Sequence, residues 1–206
     1  MGIEYFKLPI FDRRPYCDPA EWAQRYRYMK TTASMFSFEQ SPYFELPNQV
    51  MGDLAGTACV VLKVPSQTGK TETLINMLGW IVEYDRANTL LIMDTKTSGI
   101  ALSKNRIRPF LRDVCGLDYS KTASSKGKDN DHSMNAVDLG IGRGANVKIG
   151  SSRCAGDLCS TPVKYLLMDE LDRWQQEIRG EGDPISLAFQ RQLRFRGMTV
   201  MCSTPT

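Results

Sequence analysis

The chain carries a single histidine, His132, and its six cysteines contain no C-x-x-C pair. Those shortages remove the usual ligand sets of a structural zinc site and leave a disulfide framework without support. Reduced, mostly buried thiols are the expected state of Cys17, Cys59, Cys115, Cys154, Cys159 and Cys202. No apolar run approaches the length of a membrane span, and the N-terminus lacks the apolar core of a signal peptide. A cytoplasmic protein with no membrane partner is the resulting expectation. Excess charge of one sign is scarce too, the formal balance being only +3. That excludes a surface given over wholly to gripping nucleic acid, while leaving room for a local basic track. What is present is an ordinary globular composition, 206 residues at 42% hydrophobic content, enough for one sizeable core.

Two segments stand out against that background. The first is the loop Val64–Thr71, VPSQTGKT. An apolar run, Ala58–Val64, enters a tight loop ending Gly69-Lys70-Thr71, and Thr73–Tyr84 continues with Leu74, Met77, Leu78 and Ile81 on one helical face. Strand, loop and helix in that order offer unpaired backbone N–H groups to phosphate at the helix start. Lys70 has the reach and charge for β- and γ-phosphates, and the Thr71 hydroxyl suits a magnesium ion. Ser66, Gln67, Thr68, Gly69, Lys70, Thr71 and the following Glu72 are the candidate nucleotide-binding residues. Val64 stands where the G-x-x-x-x-G-K-[ST] pattern has its first glycine, and Pro65 follows it. Taken alone, Gly-Lys-Thr is as readily an ordinary helix start, so an acidic partner has to decide.

The second segment supplies it. Val163–Met168 is short and apolar, bounded by Pro162 and an acidic cluster, and reads as a buried parallel strand with Asp169 and Glu170 at its C-terminal edge. Ligands of open α/β sheets bind at that edge. Asp169 joins Thr71 as a candidate magnesium ligand, and Glu170 is the candidate catalytic group that orients and activates water. Lys70 completes the catalytic set, and the implied cofactors are ATP and Mg2+. A solvated acidic turn is the rival for Asp-Glu alone; coupled to the loop, it becomes the lesser reading.

Residues 1–52 read as an arm and helical segment, and 53–206 as a P-loop ATPase core. The arm covers 1–18; a helix follows over Pro19–Phe36, with Asp18 as N-cap and Trp22, Tyr26 and Met29 at helical spacing. Thr89–Met93 reads as a second strand and Ser98–Val114 as an amphipathic helix through Ile100, Leu102, Ile107 and Leu111. The β-α-β-α alternation implies an α/β fold of the ASCE or RecA-like P-loop type, a mostly parallel sheet with helices on both faces. Ser120–Gly144 breaks the pattern and reads as a polar hairpin or loop, solvated in preference to touching nucleic-acid phosphate. Met198–Thr206 is a strand running into STPT, where Ser203 and Thr204 are candidate γ-phosphate sensors, a strand-to-turn transition explaining them equally well.

The order WAQRYRYM, SPYFELPNQVMGD, QTGKTETLINMLGW, SRCAGDLCSTPVKYLLMDELDRW, GEGDPISLAFQRQ and STPT resembles the ATPase half of a phage terminase large subunit of the lambda-like GpA branch. The resemblance spans nearly the whole chain and rests on the combined spacing. It implies a motor that hydrolyses ATP to package viral DNA into a procapsid. Its phosphate-loop roles fall on Gln67, Gly69, Lys70 and Thr71, its magnesium and base roles on Asp169 and Glu170, and its coupling motif on Ser203, Thr204 and Pro205. The implied partners are double-stranded DNA, a small terminase subunit, the portal and further copies of the chain. The family's nuclease half follows the coupling motif, so no endonuclease activity is expected within residues 1–206. Ring motors commonly place an arginine from a neighbouring subunit against the γ-phosphate. Arg153, flanked by small residues, is the preferred candidate over Arg191, which lies on a helix expected over Ile185–Phe195 and groups with Arg194 and Arg196 as a basic face. A superfamily 2 helicase-like translocase shares the D-E-x-D pattern of Asp169–Asp172, and a nucleotide-binding prophage remnant without useful turnover remains a third reading.

Overall fold

Asp18 caps the first helix, α1 (Pro19–Tyr26), its carboxylate accepting the Glu21 N–H at 2.8 Å, with Pro19 in the first turn. The computed structural model describes residues 14–117, 138–142 and 144–205. Most of the expected arm lies outside that set. Its described end runs along the central helix, where the Cys17 carbonyl accepts from Trp80 Nε1 at 2.8 Å.

Helix α1 stops well short of the Phe36 expected from spacing. Arg27 leaves helical geometry (φ −92°, ψ 106°), because its guanidinium is drawn inward to Glu72 and Asn76. The chain then forms a short antiparallel hairpin, β1 (Tyr28–Met29) with β2 (Ser34–Met35), turning through Ala33 at φ 52°. A helical turn, α2 (Glu45–Val50), leads towards the sheet.

Among the described residues that sheet has six strands: β3 (Cys59–Lys63), β4 (Thr89–Met93), β5 (Asp138–Gly142), β6 (Ala145–Ser151), β7 (Tyr165–Met168) and β8 (Met198–Ser203). Their order is β3-β8-β7-β4-β6-β5, all neighbours parallel except β5 with β6. Strand β8 thus separates the loop strand β3 from the acidic strand β7, the arrangement of the ASCE type. Strands β4 and β7 are buried along their whole length, which is why they read as continuous apolar runs. Alternation still sorts their side chains: Tyr165 and Leu167 join a core with Leu78, Ile107 and Leu111, whereas Leu166 and Met168 join one with Leu158 and Ala188. Helices therefore cover both faces.

The helices are α3 (Lys70–Trp80), α4 (Lys96–Leu102), α5 (Arg108–Asp113), α6 (Ala155–Cys159) and α7 (Pro184–Phe189). The single amphipathic helix expected over Ser98–Val114 is α4 and α5 joined by a π-helical turn, Ser103–Ile107. Pro109 is the second residue of α5; its missing N–H and its ring resist regular α-helical pairing with the preceding turn, and the wider turn accommodates them. Helix α7 ends at Phe189, leaving Arg191 outside it. Gln192 is the reason: its amide donates to the Lys164 carbonyl at 2.8 Å and accepts from Thr199 Oγ1 at 2.7 Å, pulling the chain back towards β8. Arg191 is itself a packing residue, donating to the Cys159 carbonyl at 3.1 Å.

Of Ser120–Gly144, all but 138–142 and 144 lies outside the described residues, and the part described includes an edge strand that periodicity did not suggest. All six thiols are free, but only Cys17 and Cys202 are buried, while Cys59 and Cys154 are exposed. Among the described residues no helix is long and apolar enough to cross a membrane.

The start of β8 provides a stability test. A Cβ added to Gly197 would lie 1.8 Å from the Lys164 carbonyl oxygen and 2.7 Å from its carbon, backbone atoms held next to the Tyr165–Met198 register. Gly197→Ala is expected to destabilise the fold by about 1–3 kcal/mol or more, because backbone cannot yield as a side chain does. Chemical denaturation checks this; an unchanged midpoint would contradict the close approach.

Candidate nucleotide site

Parallel strands all end on one edge, and register decides what meets there. Lys63 pairs with Ser203, Met168 with both Met201 and Ile92, and Met93 with Ser151. The segments that follow, the loop Val64–Thr71, Thr204, Asp169–Glu170, Asp94 and Ser152–Arg153, are therefore gathered along the same edge.

The loop is tied to the sheet by the Val64 N–H, which donates to the Ser203 carbonyl at 3.2 Å. Gly69 precedes α3 at φ 106°, a conformation that favours glycine, and Gln67 is also left-handed at φ 58°. Val64 is not among the positive-φ residues, so the loop's entry has no conformational need for the glycine that the consensus pattern carries there. The Lys70 side chain curls over the loop, donating to the carbonyls of Val64 (3.1 Å) and Pro65 (2.7 Å). Thr71 Oγ1 donates to Asp169 Oδ2 at 2.6 Å, bridging residues 98 positions apart.

Asp169 is 1% exposed, and burial pushes its carboxyl above the ordinary value; the Thr71 hydroxyl, the Glu170 N–H, Lys70 and Arg106 pull the other way. The Glu170 carboxyl is raised as well, first by burial and then by Asp169, Asp172 and Asp94, against the pull of Arg173. Glu170 adopts φ 55°, ψ 44°, a left-handed conformation costing of order 1–3 kcal/mol for a residue with a Cβ. It is over-determined by its neighbours. Its N–H donates to Asp169 Oδ1 at 3.0 Å, Trp174 Nε1 donates to the Asp169 carbonyl at 3.0 Å, and Arg173 reaches Glu170 Oε2 at 3.2 Å. Strain of this kind marks sites where orientation matters more than local comfort.

A cleft of about 710 Å³ brings together Ser66, Gln67, Lys70, Asp169, Glu170 and Thr204, with Gly69, Thr71 and Glu72 also at its wall. Thr204 is anchored there, its N–H donating to Asp172 Oδ1 at 2.8 Å. Ser203 and Thr68 do not line this cleft. Thr68 borders a second cavity, about 530 Å³, walled by Phe36, Phe38, Gln40 and Phe44 on the other side of the loop. Arg153 turns away from both: its Nε and Nη2 donate to the Asp94 carboxylate at 3.0 and 2.9 Å. The Ser151 and Ser152 hydroxyls hold the Asp94 carbonyl from the same side, each at 3.1 Å.

Sequence reasoning missed Arg106 and Arg173, which also line the main cleft, and the Phe36–Gln40 wall of the second cavity. Arg173 follows the acidic pair closely enough to have been noticed. No spacing rule marks the others, since they reach the loop from distant elements. Thr71 and Asp169 form an all-oxygen donor pair of the kind magnesium takes together with phosphate and water. Among the described residues no group of three or more His, Cys, Asp or Glu forms a protein-only cage.

A mostly parallel sheet whose first strand runs into a Gly-Lys-Thr loop and a helix, with a buried carboxylate bonded to the loop threonine and a strand between the two, describes an α/β P-loop-like fold. The chain belongs to the family of the phage terminase large subunit gpA, ATPase domain, which it matches over residues 31–206. Among solved structures it is similar to the large terminase ATPase domain of Thermus phage P74-26, at 12% identity and a TM-score of 0.48, over 81% of this chain and 69% of that one. An arginine-to-alanine mutant of that domain aligns at 13% identity and a TM-score of 0.46, over 81% and 70% of the two chains. No curated protein matches.

Proposed function

We propose that the chain is the ATPase motor portion of a terminase large subunit, hydrolysing ATP to drive double-stranded DNA into a procapsid. The observation that carries this reading is the Thr71–Asp169 hydrogen bond, which joins the phosphate loop to the acidic strand with Glu170 locked beside it. The loop N–H groups and Lys70 bind the phosphates, with Lys70 exchanging its carbonyl partners for phosphate oxygens. Thr71 and Asp169 would hold a magnesium ion, which when bound supplies charge neutralisation on the phosphates. Glu170 orients the attacking water and accepts its proton. The cavity walled by Phe36, Phe38 and Gln40 takes the nucleoside end, offering aromatic faces and an amide.

Thr204, bonded to Asp172 three residues beyond Asp169, links the acidic strand to the end of β8. Movement at the phosphates therefore has a short path to whatever follows the coupling segment. Arg153, paired with Asp94 in its own chain, serves a neighbouring copy only by exchanging that partner, and the active form is a homo-oligomer. The small terminase subunit and the portal are the partners of that assembly.

Phosphate release from ATP is expected to require magnesium, to rise with linear double-stranded DNA, and to fall by at least roughly a hundred-fold in Asp169→Asn. A rate indifferent to both EDTA and this substitution would overturn the assignment.

A further inference from the structure

Glu72 follows the loop threonine directly, yet its carboxylate does not face solvent alone. One oxygen, Oε2, accepts from Arg27 Nη2 and the other, Oε1, from Arg106 Nη2. Arg27 is 4% exposed, donates also to the Glu72 carbonyl at 3.1 Å and to Asn76 Oδ1, and lies over the rings of Phe36 and Phe110. It is an anchor. Arg106 is different: its side chain is 39% exposed, and it lines the same cleft as Lys70, Thr71, Asp169 and Glu170. Among the described residues only its Nη2 has a hydrogen-bond acceptor, which leaves the rest of the guanidinium fork unspent.

Charge and backbone point the same way. Within this group one carboxylate faces two guanidinium groups, so Glu72 alone does not neutralise Arg106. Arg106 also sits in the π-helical turn Ser103–Ile107, the widened part of the α4–α5 run. Such turns recur at functional sites because they displace a side chain from ordinary helical spacing. Arg153, the arginine preferred from sequence for its small flanking residues, has committed two nitrogens to Asp94 and does not line the cleft.

We propose that Arg106 is a phosphate ligand of the nucleotide, supplied by the same chain as the loop, and that Glu72, braced by Arg27, positions it at the cleft. The inference rests on the reading of the cleft as a nucleotide site and adds a residue to it. Arg106 is half-exposed and its removal leaves the Arg27–Glu72 pair intact, so the fold should tolerate the change.

The test is ATP binding by the full chain, measured with a fluorescent ATP analogue, in wild type, Lys70→Ala, Arg106→Ala and Arg106→Lys, with melting curves for each. Arg106→Ala is expected to lose about ten-fold or more in affinity, as for a hydrogen bond to a charged group, without a matching drop in melting temperature. Arg106→Lys, which keeps the charge and loses the fork, should fall between it and wild type. Glu72→Gln should weaken binding in wild type but add little in the Arg106→Ala background, the sign of a positioning residue acting through Arg106. If Lys70→Ala loses affinity while Arg106→Ala and Arg106→Lys both bind as wild type does, Arg106 is not a ligand and the cleft reading survives. If Arg106→Ala unfolds, the folded Arg106→Lys protein decides: wild-type affinity there overturns the proposal. If Lys70→Ala also binds like wild type, the nucleotide reading of the cleft falls, and this inference with it.

Discussion

Glu170→Gln is expected to bind ATP nearly as well as wild type and to hydrolyse it roughly 10²–10⁴-fold more slowly, the usual contribution of a positioned general base. The amide fills the same volume and can keep its contact with Arg173, but it cannot take a proton from water. Lys70→Ala is the necessary contrast. Removing that ammonium deletes charge-assisted contacts to phosphate, so affinity should drop by roughly ten- to a hundred-fold. Equilibrium binding and single-turnover phosphate release, run on both variants, separate the roles. Equal loss of affinity in the two would show that Glu170 is a binding group, and an active Glu170→Gln enzyme would place the base elsewhere. The backbone adds a second expectation within this test. Since residue 170 is left-handed, Glu170→Gly should retain stability while losing turnover, because glycine adopts that conformation without strain.

Trp22→Ala is expected to destabilise the fold by about 3–5 kcal/mol, the range for emptying a buried aromatic site. Trp22 is fully buried, packs edge-on against Phe110 with ring centroids 6.1 Å apart, and fills the space above Gly79. A Cβ at Gly79 would lie 2.0 Å from its ring, so α1 and α3 meet at the one position where α3 has no side chain. For a chain of this size the loss corresponds to a fall in melting temperature of about 6–20 °C. Trp22→Phe should cost far less. The indole Nε1 is buried with no hydrogen-bond partner among the described residues, so phenylalanine removes an unpaired donor along with part of the volume. Thermal melts of both variants decide. A small effect from alanine would mean that the segment before the loop is an appendage, whereas the expected one makes it part of the body that carries the candidate site.

Much of the candidate site was legible because its parts are local. Strand, loop and helix around Lys70 are consecutive in sequence, and the run ending in Asp169 and Glu170 is short, apolar and sharply bounded. Their proximity followed from the rule that parallel strands present their C-terminal ends together. Boundaries were poorer wherever a distant partner competed with periodicity. Tyr26 and Met29 suit a helix, yet the buried Arg27 ends it; Arg191 suits a continued α7, yet Gln192 bends the chain away. The missing first glycine causes no backbone strain, since Val64 does not adopt a left-handed conformation.

The sequence by itself determined the fold class, the loop, the acidic pair and the candidate residues for phosphate and a hard cation. Those features depend on composition over a few consecutive positions and on helical or strand periodicity. Tertiary structure alone decided the sharing of Glu72 between Arg27 and Arg106, the diversion of Arg153 onto Asp94, and the hold of Asp172 on Thr204. Each pairs a side chain with a group far away in the chain, a charged partner in the first two and a backbone N–H in the third, chosen by what the folded sheet brings within reach. Periodicity carries no record of that choice, because any of several arginines satisfies it until the fold selects one.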